Sequence, residues 1–219
     1  MPDPLGNFAF TWPFYAGGVI AYLIGALPMG LIVARLFRLG DPRRIGSGNI
    51  GATNVLRTGS KAAAALTLVL DGGKGAVAVV IAQRFGPDMA VIAAGAAVVG
   101  HVAPVWLLFR GGKGVATTLG VLLAIAWPVG LVACGLWLAV AGLFRYSSLA
   151  ALVAIGAAPG FALLFEAPQI AWLAGFLAVL VTLRHAGNIV RLARGREPRI
   201  GLGGRSAAAG APADPPADR

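Results

Sequence analysis

Between Lys113 and Arg145 the chain reads GVATTLGVLLAIAWPVGLVACGLWLAVAGLF, residues 114–144, without one charged side chain. As a single helix rising 1.5 Å per residue it would be about 46 Å long, well beyond the roughly 30 Å hydrocarbon core of a bilayer. Trp127-Pro128 falls near its middle, where the proline removes an amide donor and tends to break a helix. Two short helices fit the stretch better than one, and that division decides the helix count.

The rest of the chain reads the same way. Of 219 residues, 58% are hydrophobic and 12% charged, against roughly 45–50% apolar and about 25% charged in an ordinary soluble domain. A soluble globular fold is therefore excluded as the default. Other apolar runs long enough to cross cover 14–37, 62–83 (broken by Asp71 and Lys74), 89–109, 146–165 and 167–183, the last two separated by a turn at Glu166-Ala-Pro168. Met1-Pro-Asp-Pro lacks the basic start of a cleavable signal, so the first run is expected to be a retained crossing. From residue 202 the tail is rich in Gly, Ala and Pro without apolar periodicity and is expected to be disordered, leaving 1–201 as a single polytopic domain.

The net charge of +10 comes from 18 Lys/Arg against 8 Asp/Glu. These charges cluster between apolar runs, which argues against nucleic acid and for a membrane surface or an anionic substrate. The loop at 38–61 holds Arg38, Arg43, Arg44, Arg57 and Lys61 against Asp41; the segment after 183 holds five arginines against Glu197. Short cytoplasmic loops carry such excess, so both are expected inside, with Asp3, Arg84, Asp88 and Glu166 opposite. Parity then demands an even number of crossings between 113 and 184, which the split at Pro128 supplies. The expectation is an all-α integral membrane protein of about seven transmembrane helices, N-terminus out and C-terminus in. A five-helix arrangement fusing the segments around Glu166 is the runner-up. Cys134 has no partner, and histidine occurs only at His101 and His185, so no disulfide, metal or cofactor is expected.

Three inside segments carry chemistry. In RIGSGNIGATNVLRTGSK, 44–61, Gly46, Gly48 and neighbouring glycines let backbone amides face an anion; Ser47, Asn49 and Asn54 add neutral donors, and Arg57 can clamp phosphate bidentately. A flexible loop whose glycines merely pack helices is the competing reading. In GHVAPVWLLFRGGKGVAT, 100–117, Gly111, Gly112 and Gly114 surround Lys113 at a helix start, a second phosphate-site candidate; His101 reads as a packing residue. In RHAGNIVRLARGREPRIG, 184–201, His185 and Asn188 share one helix face, while Arg194, Arg196 and Arg199 read as a basic terminus that meets acidic lipid heads. Asp71 and Lys74 read as an internal ion pair.

These three segments closely resemble the bacterial PlsY family of membrane acyl-phosphate:glycerol-3-phosphate acyltransferases, over nearly the whole chain to about Gly201. The resemblance implies transfer of a fatty acyl group from acyl phosphate to the 1-hydroxyl of sn-glycerol 3-phosphate. It gives lysophosphatidic acid and inorganic phosphate, the first acylation of phospholipid biosynthesis. It also implies a seven-helix core in the bacterial inner membrane, its site facing the cytoplasm and no cofactor needed; a monomer is expected.

Carried onto this chain, Ser47, His185 and Asn188 are the catalytic candidates; Arg57, Lys113, Gly46, Gly48, Asn49, Asn54, Gly111, Gly112 and Gly114 are the phosphate-binding ones. His185 is assigned to positioning first and to proton abstraction second, because the departing phosphate can accept the hydroxyl proton itself. The His-x4-Asp pattern of acyl-CoA acyltransferases is absent: Trp106 and Val190 stand where the aspartate would be. Ala103 replaces a bulky aromatic and Ala186-Gly187 a more polar pair, so no acidic helper is named in the third segment. A transporter for phosphorylated solutes would show a repeat of interrupted helices, and the three segments are unlike one another; a plain membrane anchor would not need them all on one side.

Overall fold

The computed structural model describes residues 7–200, in which ten α-helices, two short 3₁₀ turns and no strand are found. α1 is Phe8–Gly25, α2 Met29–Leu36, α3 Ala52–Leu56, α4 Lys61–Gln83, α5 Pro87–Val102, α6 Val115–Ile125, α7 Trp127–Phe144, α8 Ser147–Phe165, α9 Pro168–Arg184 and α10 Ala186–Ala193. The tail expected to be disordered, 202–219, lies outside the described residues.

The 114–144 stretch is divided where its proline demands. α6 ends at Ile125, Ala126 adopts φ −149° and ψ 71°, and Pro128 occupies the first turn of α7, where a missing amide costs nothing. Gly130 lets α7 fold against α6, since a Cβ there would lie 2.5 Å from the Leu123 amide nitrogen. α8 and α9 are separate helices on either side of Glu166, so the arrangement fusing them is not adopted.

α6 has 11 residues, about 16 Å. It runs beside the second half of α4 in the same direction. Gly72 meets Ala116 and Gly120, Gly75 meets Thr117, and the Gln83 side chain donates to the Ala124 carbonyl at 3.0 Å. α6 therefore starts halfway along α4 and ends level with it. The irregular strip 103–114 precedes α6 and packs on α1, where the Tyr22 hydroxyl donates to the Ala103 carbonyl at 2.7 Å.

Hydropathy carries the third crossing to 109, but the helix stops at Val102 because Ala103 precedes Pro104, and a residue before proline avoids the helical region. The strip then folds back. The Gly111 and Gly112 amides donate to the Val102 and His101 carbonyls at 3.1 and 3.0 Å, satisfying the end of α5. Irregular backbone is tolerated at membrane depth only where protein buries it or it lines a cavity; Pro104 and Gly112 are buried, and Gly111, Lys113 and Gly114 line cavities.

The first crossing also differs from the expected 14–37. It begins at Phe8, capped by the Asn7 side chain, and is broken between α1 and α2 by Pro28. Two carbonyls at the break accept side chains from elsewhere: Trp106 Nε1 donates to Ala26 at 2.8 Å, and Lys74 Nζ donates at 2.7 Å to Leu27, which also accepts the Met29 amide at 3.0 Å.

Five helical units of the described residues are long and apolar enough to cross a membrane: Phe8–Leu36, Lys61–Gln83, Pro87–Leu107, Trp127–Phe144 and Ser147–Phe165. α9 and α10, bent by 64° from each other, pass the same length and hydropathy test only when taken together as one broken span. Small residues bring the helices together without the help of water: a Cβ at Gly25 would lie 1.9 Å from the Ala97 carbonyl. Outward positions carry large apolar side chains such as Leu143 and Trp172.

Candidate active site

The loop 45–51 is organised by one residue. Asn54 is 2% exposed, and its amide nitrogen donates to the carbonyls of Pro42, Ile45 (3.1 Å) and Asn49 (2.7 Å). Its oxygen accepts from the Ser47 amide at 3.3 Å and Arg57 Nη1 at 3.0 Å. Expected as an anion donor, Asn54 instead spends both ends of its side chain shaping the loop. Gly46 is required twice over: its φ is +55°, and a Cβ would lie 2.3 Å from Arg57 Nη1. Asn49 accepts from the Gly51 amide at 3.3 Å. Ser47 is left exposed beside the half-buried Arg57, a guanidinium whose proton affinity burial lowers and the Glu197 carboxylate partly restores.

The glycine strip supplies Lys113. Its ammonium donates to Asn188 Oδ1 at 2.6 Å. Burial is the main reason its pKa falls to about 8; Glu197 opposes the fall, while Arg191, Arg57 and Arg184 add to it. Arg184 closes the strip from outside, donating to the Gly112 and Gly111 carbonyls at 3.3 and 3.2 Å. Gly112 itself is buried against His101 and lines no cavity, whereas Gly111 and Gly114 do.

Past the end of α9, His185 is 2% exposed and its Nδ1 bonds to the Val181 carbonyl at 2.8 Å. A carbonyl only accepts, so Nδ1 carries the proton and Nε2 is left as the ring's acceptor. Burial holds His185 near 4, with Lys113 assisting and the Val181 bond opposing.

Asn188 is held at both ends, its amide nitrogen donating to Glu197 Oε1 at 2.5 Å. Glu197 also accepts from Ser148 Oγ and Arg191 Nε, each at 2.8 Å. Burial works against this carboxylate, but the Asn188, Ser148 and Arg191 bonds outweigh it and hold the group below the usual glutamate range. The acidic helper absent beside Asn188 in sequence thus arrives nine positions later, from the GREPRIG stretch. Arg199, expected at lipid heads, lies over the Tyr146 ring at 5.4 Å, and the Arg145 and Ile200 backbones and side chain exchange bonds at 2.7 and 3.0 Å. These contacts fix the segment that presents Glu197.

Two adjoining cavities share Ser47, Asn49, Lys113, Asn188 and Arg191. The smaller, about 280 Å³, adds Gly48, Gly111 and Arg184. The larger, about 720 Å³, adds Gly46, Asn54, Arg57, Gly114, His185 and Glu197, then continues along apolar Leu68, Leu119, Trp137 and Leu138. All the sequence-chosen residues except Gly112 line one or both. Glu197, Arg184, Arg191 and Ser148 were not among them; a lone acid inside a run of arginines was the available signal for Glu197. Among the described residues no cluster of His, Cys, Asp and Glu could hold a metal ion.

The family described as glycerol-3-phosphate acyltransferase matches residues 16–195. A glycerol-3-phosphate acyltransferase of Paramagnetospirillum magneticum is 61% identical over 181 residues, 82% of this chain and 90% of that protein. One of Rhodospirillum rubrum is 56% identical over 209 residues, 90% of this chain and 97% of that protein. The crystal structure of PlsY (YgiH), an integral membrane glycerol 3-phosphate acyltransferase, in its glycerol 3-phosphate form superposes with a TM-score of 0.81 at 38% identity, covering 86% of this chain and 96% of that one. Its lysophosphatidic acid form gives 0.79 and 37% over the same shares. With a fold, a site and relatives in agreement, the chain belongs to the glycerol-3-phosphate acyltransferase family.

Proposed function

We propose that this protein transfers a fatty acyl group from acyl phosphate to the 1-hydroxyl of sn-glycerol 3-phosphate, releasing lysophosphatidic acid and inorganic phosphate. The observation that carries this reading is the pair of cavities around Lys113 and Asn188, one small and strongly basic, the other running from the basic site onto apolar surface. Two phosphate-bearing substrates, one of them with a long chain, match that division. Relatives named for glycerol 3-phosphate supply the acceptor.

In the reaction the glycerol hydroxyl oxygen attacks the acyl carbonyl carbon. The bond from that carbon to the phosphate oxygen breaks, and phosphate leaves with the hydroxyl proton. Lys113 and Arg57 hold the anions and balance the charge that grows on the leaving group. Ser47, the His185 Nε2 acceptor and Asn188 orient the hydroxyl toward the carbonyl, a large effect by itself. Asn188 can do this because Lys113 and Glu197 hold its two ends. A histidine near 4 is neutral at physiological pH and accepts a hydrogen bond, which suits positioning better than storing a proton.

The reading includes the membrane arrangement: seven crossings formed by α1 with α2, α4, α5, α6, α7, α8 and α9, with the N-terminus outside, the C-terminus inside and the site open to the cytoplasm of the bacterial inner membrane. In this reading α6, with 11 residues, is a short crossing that runs beside the second half of α4. The functional unit is a monomer within 1–201. Purified protein in lipid should release phosphate and form lysophosphatidic acid from palmitoyl phosphate and glycerol 3-phosphate. With palmitoyl-CoA it should give little product. Turnover with the thioester and not the acyl phosphate would overturn the donor assignment.

A further inference from the structure

The proposed reaction gives no role to a buried polar cluster at the edge of the larger cavity. Asp71, Lys74 and His101 are 2%, 5% and 4% exposed. Lys74 bonds to Asp71 at 2.9 Å, and Asp71 Oδ1 lies 3.4 Å from His101 Nδ1. Through Lys74 the cluster is tied to the Leu27 carbonyl at the α1–α2 break. Three ionisable side chains inside an apolar bundle are expensive, and their presence calls for a task beyond filling space.

Their free edge meets the glycine strip. The His101 ring lies against Gly112 so closely that a Cβ there would fall 2.0 Å from Nε2, while the His101 carbonyl accepts the Gly112 amide at 3.0 Å. Asp71, itself paired with Lys74, stands 3.4 Å behind the ring nitrogen, and Asp71 and His101 both edge the larger cavity. Lys113 is the next residue, and its ammonium reaches Asn188 at 2.6 Å.

We propose that His101 is a positioning residue: its ring, braced by Asp71 and Lys74, sets the height of Gly112 and so holds Lys113 where it meets Asn188 and the substrate phosphate. Gly112 is then glycine because an imidazole, not a phosphate, presses on it. The proposal rests on the reaction assigned above for its kinetic readout, and on steric coupling alone for its stability readout.

The test is a double-mutant cycle in the full chain, purified in lipid, with KM for both phosphate substrates, kcat and the unfolding midpoint measured for each protein. Gly112→Ala should raise at least one KM roughly tenfold or more and lower the midpoint. His101→Ala should raise the same KM with a smaller effect on kcat, and His101→Asn, which keeps a donor toward Asp71, should recover much of the loss. In His101→Ala/Gly112→Ala the extra methyl has room, so KM and midpoint should return to those of His101→Ala alone. Additive losses in the double variant would overturn the proposal, since they would mean that Gly112 is needed for substrate or backbone and not for the ring. If wild-type protein shows no turnover, the reaction is misassigned, and recovery of the midpoint in the double variant still decides the steric coupling.

Discussion

Lys113 and Asn188 lie 75 positions apart in the chain, yet the ammonium donates to the amide oxygen at 2.6 Å. The contact joins the strip after α5 to the start of α10 and turns Asn188 so that its nitrogen faces Glu197. One hydrogen-bonded line, Lys113 to Asn188 to Glu197, thereby holds two of the three chemical segments in register.

Lys113 should make the proposed reaction sensitive to alkali. With a pKa of about 8 in the free protein, the side chain is cationic below that pH and neutral above it. kcat/KM should therefore fall as pH rises through about 8, whereas the kcat limb should lie higher because a bound phosphate stabilises the cation. Lys113→Arg, which stays charged, should lose the limb, and Lys113→Ala should lower kcat/KM by roughly 10²–10³-fold. An unchanged limb in Lys113→Arg would assign it to another group.

Glu197→Gln removes a charge that raises the Lys113 pKa while keeping a side chain of the same shape. The alkaline limb should move to lower pH, and turnover should drop because an amide cannot accept from Ser148, Asn188 and Arg191 as a carboxylate does. Comparison of the two pH profiles reads this directly.

His185 should contribute no acid limb above about pH 5, since it is already neutral there. His185→Ala should nonetheless cut kcat, by roughly 10²-fold for a lost positioning contact. Wild-type turnover in that variant would remove His185 from the site.

Asn54→Ala should act through the fold of the loop. It removes the donor shared by the Pro42, Ile45 and Asn49 carbonyls and the acceptor of the Ser47 amide and Arg57, and a buried polar group left unpaired costs about 1–3 kcal/mol. The unfolding midpoint should fall and KM should rise together.

The arrangement in the membrane can be read by labelling in intact cells. In a Cys134→Ala background, Gly40→Cys should react with an impermeant thiol reagent only after the membrane is opened, and Ala167→Cys should react before. The reverse pattern would invert the proposed orientation.

Much of this molecule was legible before its structure. Pro128 announced the division of 114–144 because proline acts locally, whatever surrounds it. The strip 103–110 misled hydropathy because Val105, Trp106, Leu107 and Leu108 are as apolar as any crossing; only Pro104 hinted that the helix had ended. Asn54 and Glu197 were hidden for another reason. Their roles consist of partners brought in by folding, and a residue type in isolation does not say whether its hydrogen bonds will go to substrate or to its own chain. Gly112 illustrates the same limit: a glycine beside a lysine in a strip suggests an anion, and what it meets is a histidine.

The half-length α6 has a consequence for how far the reactants travel. A palmitoyl chain drawn out to the water surface would expose about 14 methylenes at about 0.8 kcal/mol each, a penalty on the order of 11 kcal/mol per turnover. A reaction centre set at the start of α6, halfway down α4, removes that ascent. On the proposed reading the small, water-loving alcohol comes in at the basic cavity, and the greasy reactant stays among its own kind along Leu68, Leu119, Trp137 and Leu138.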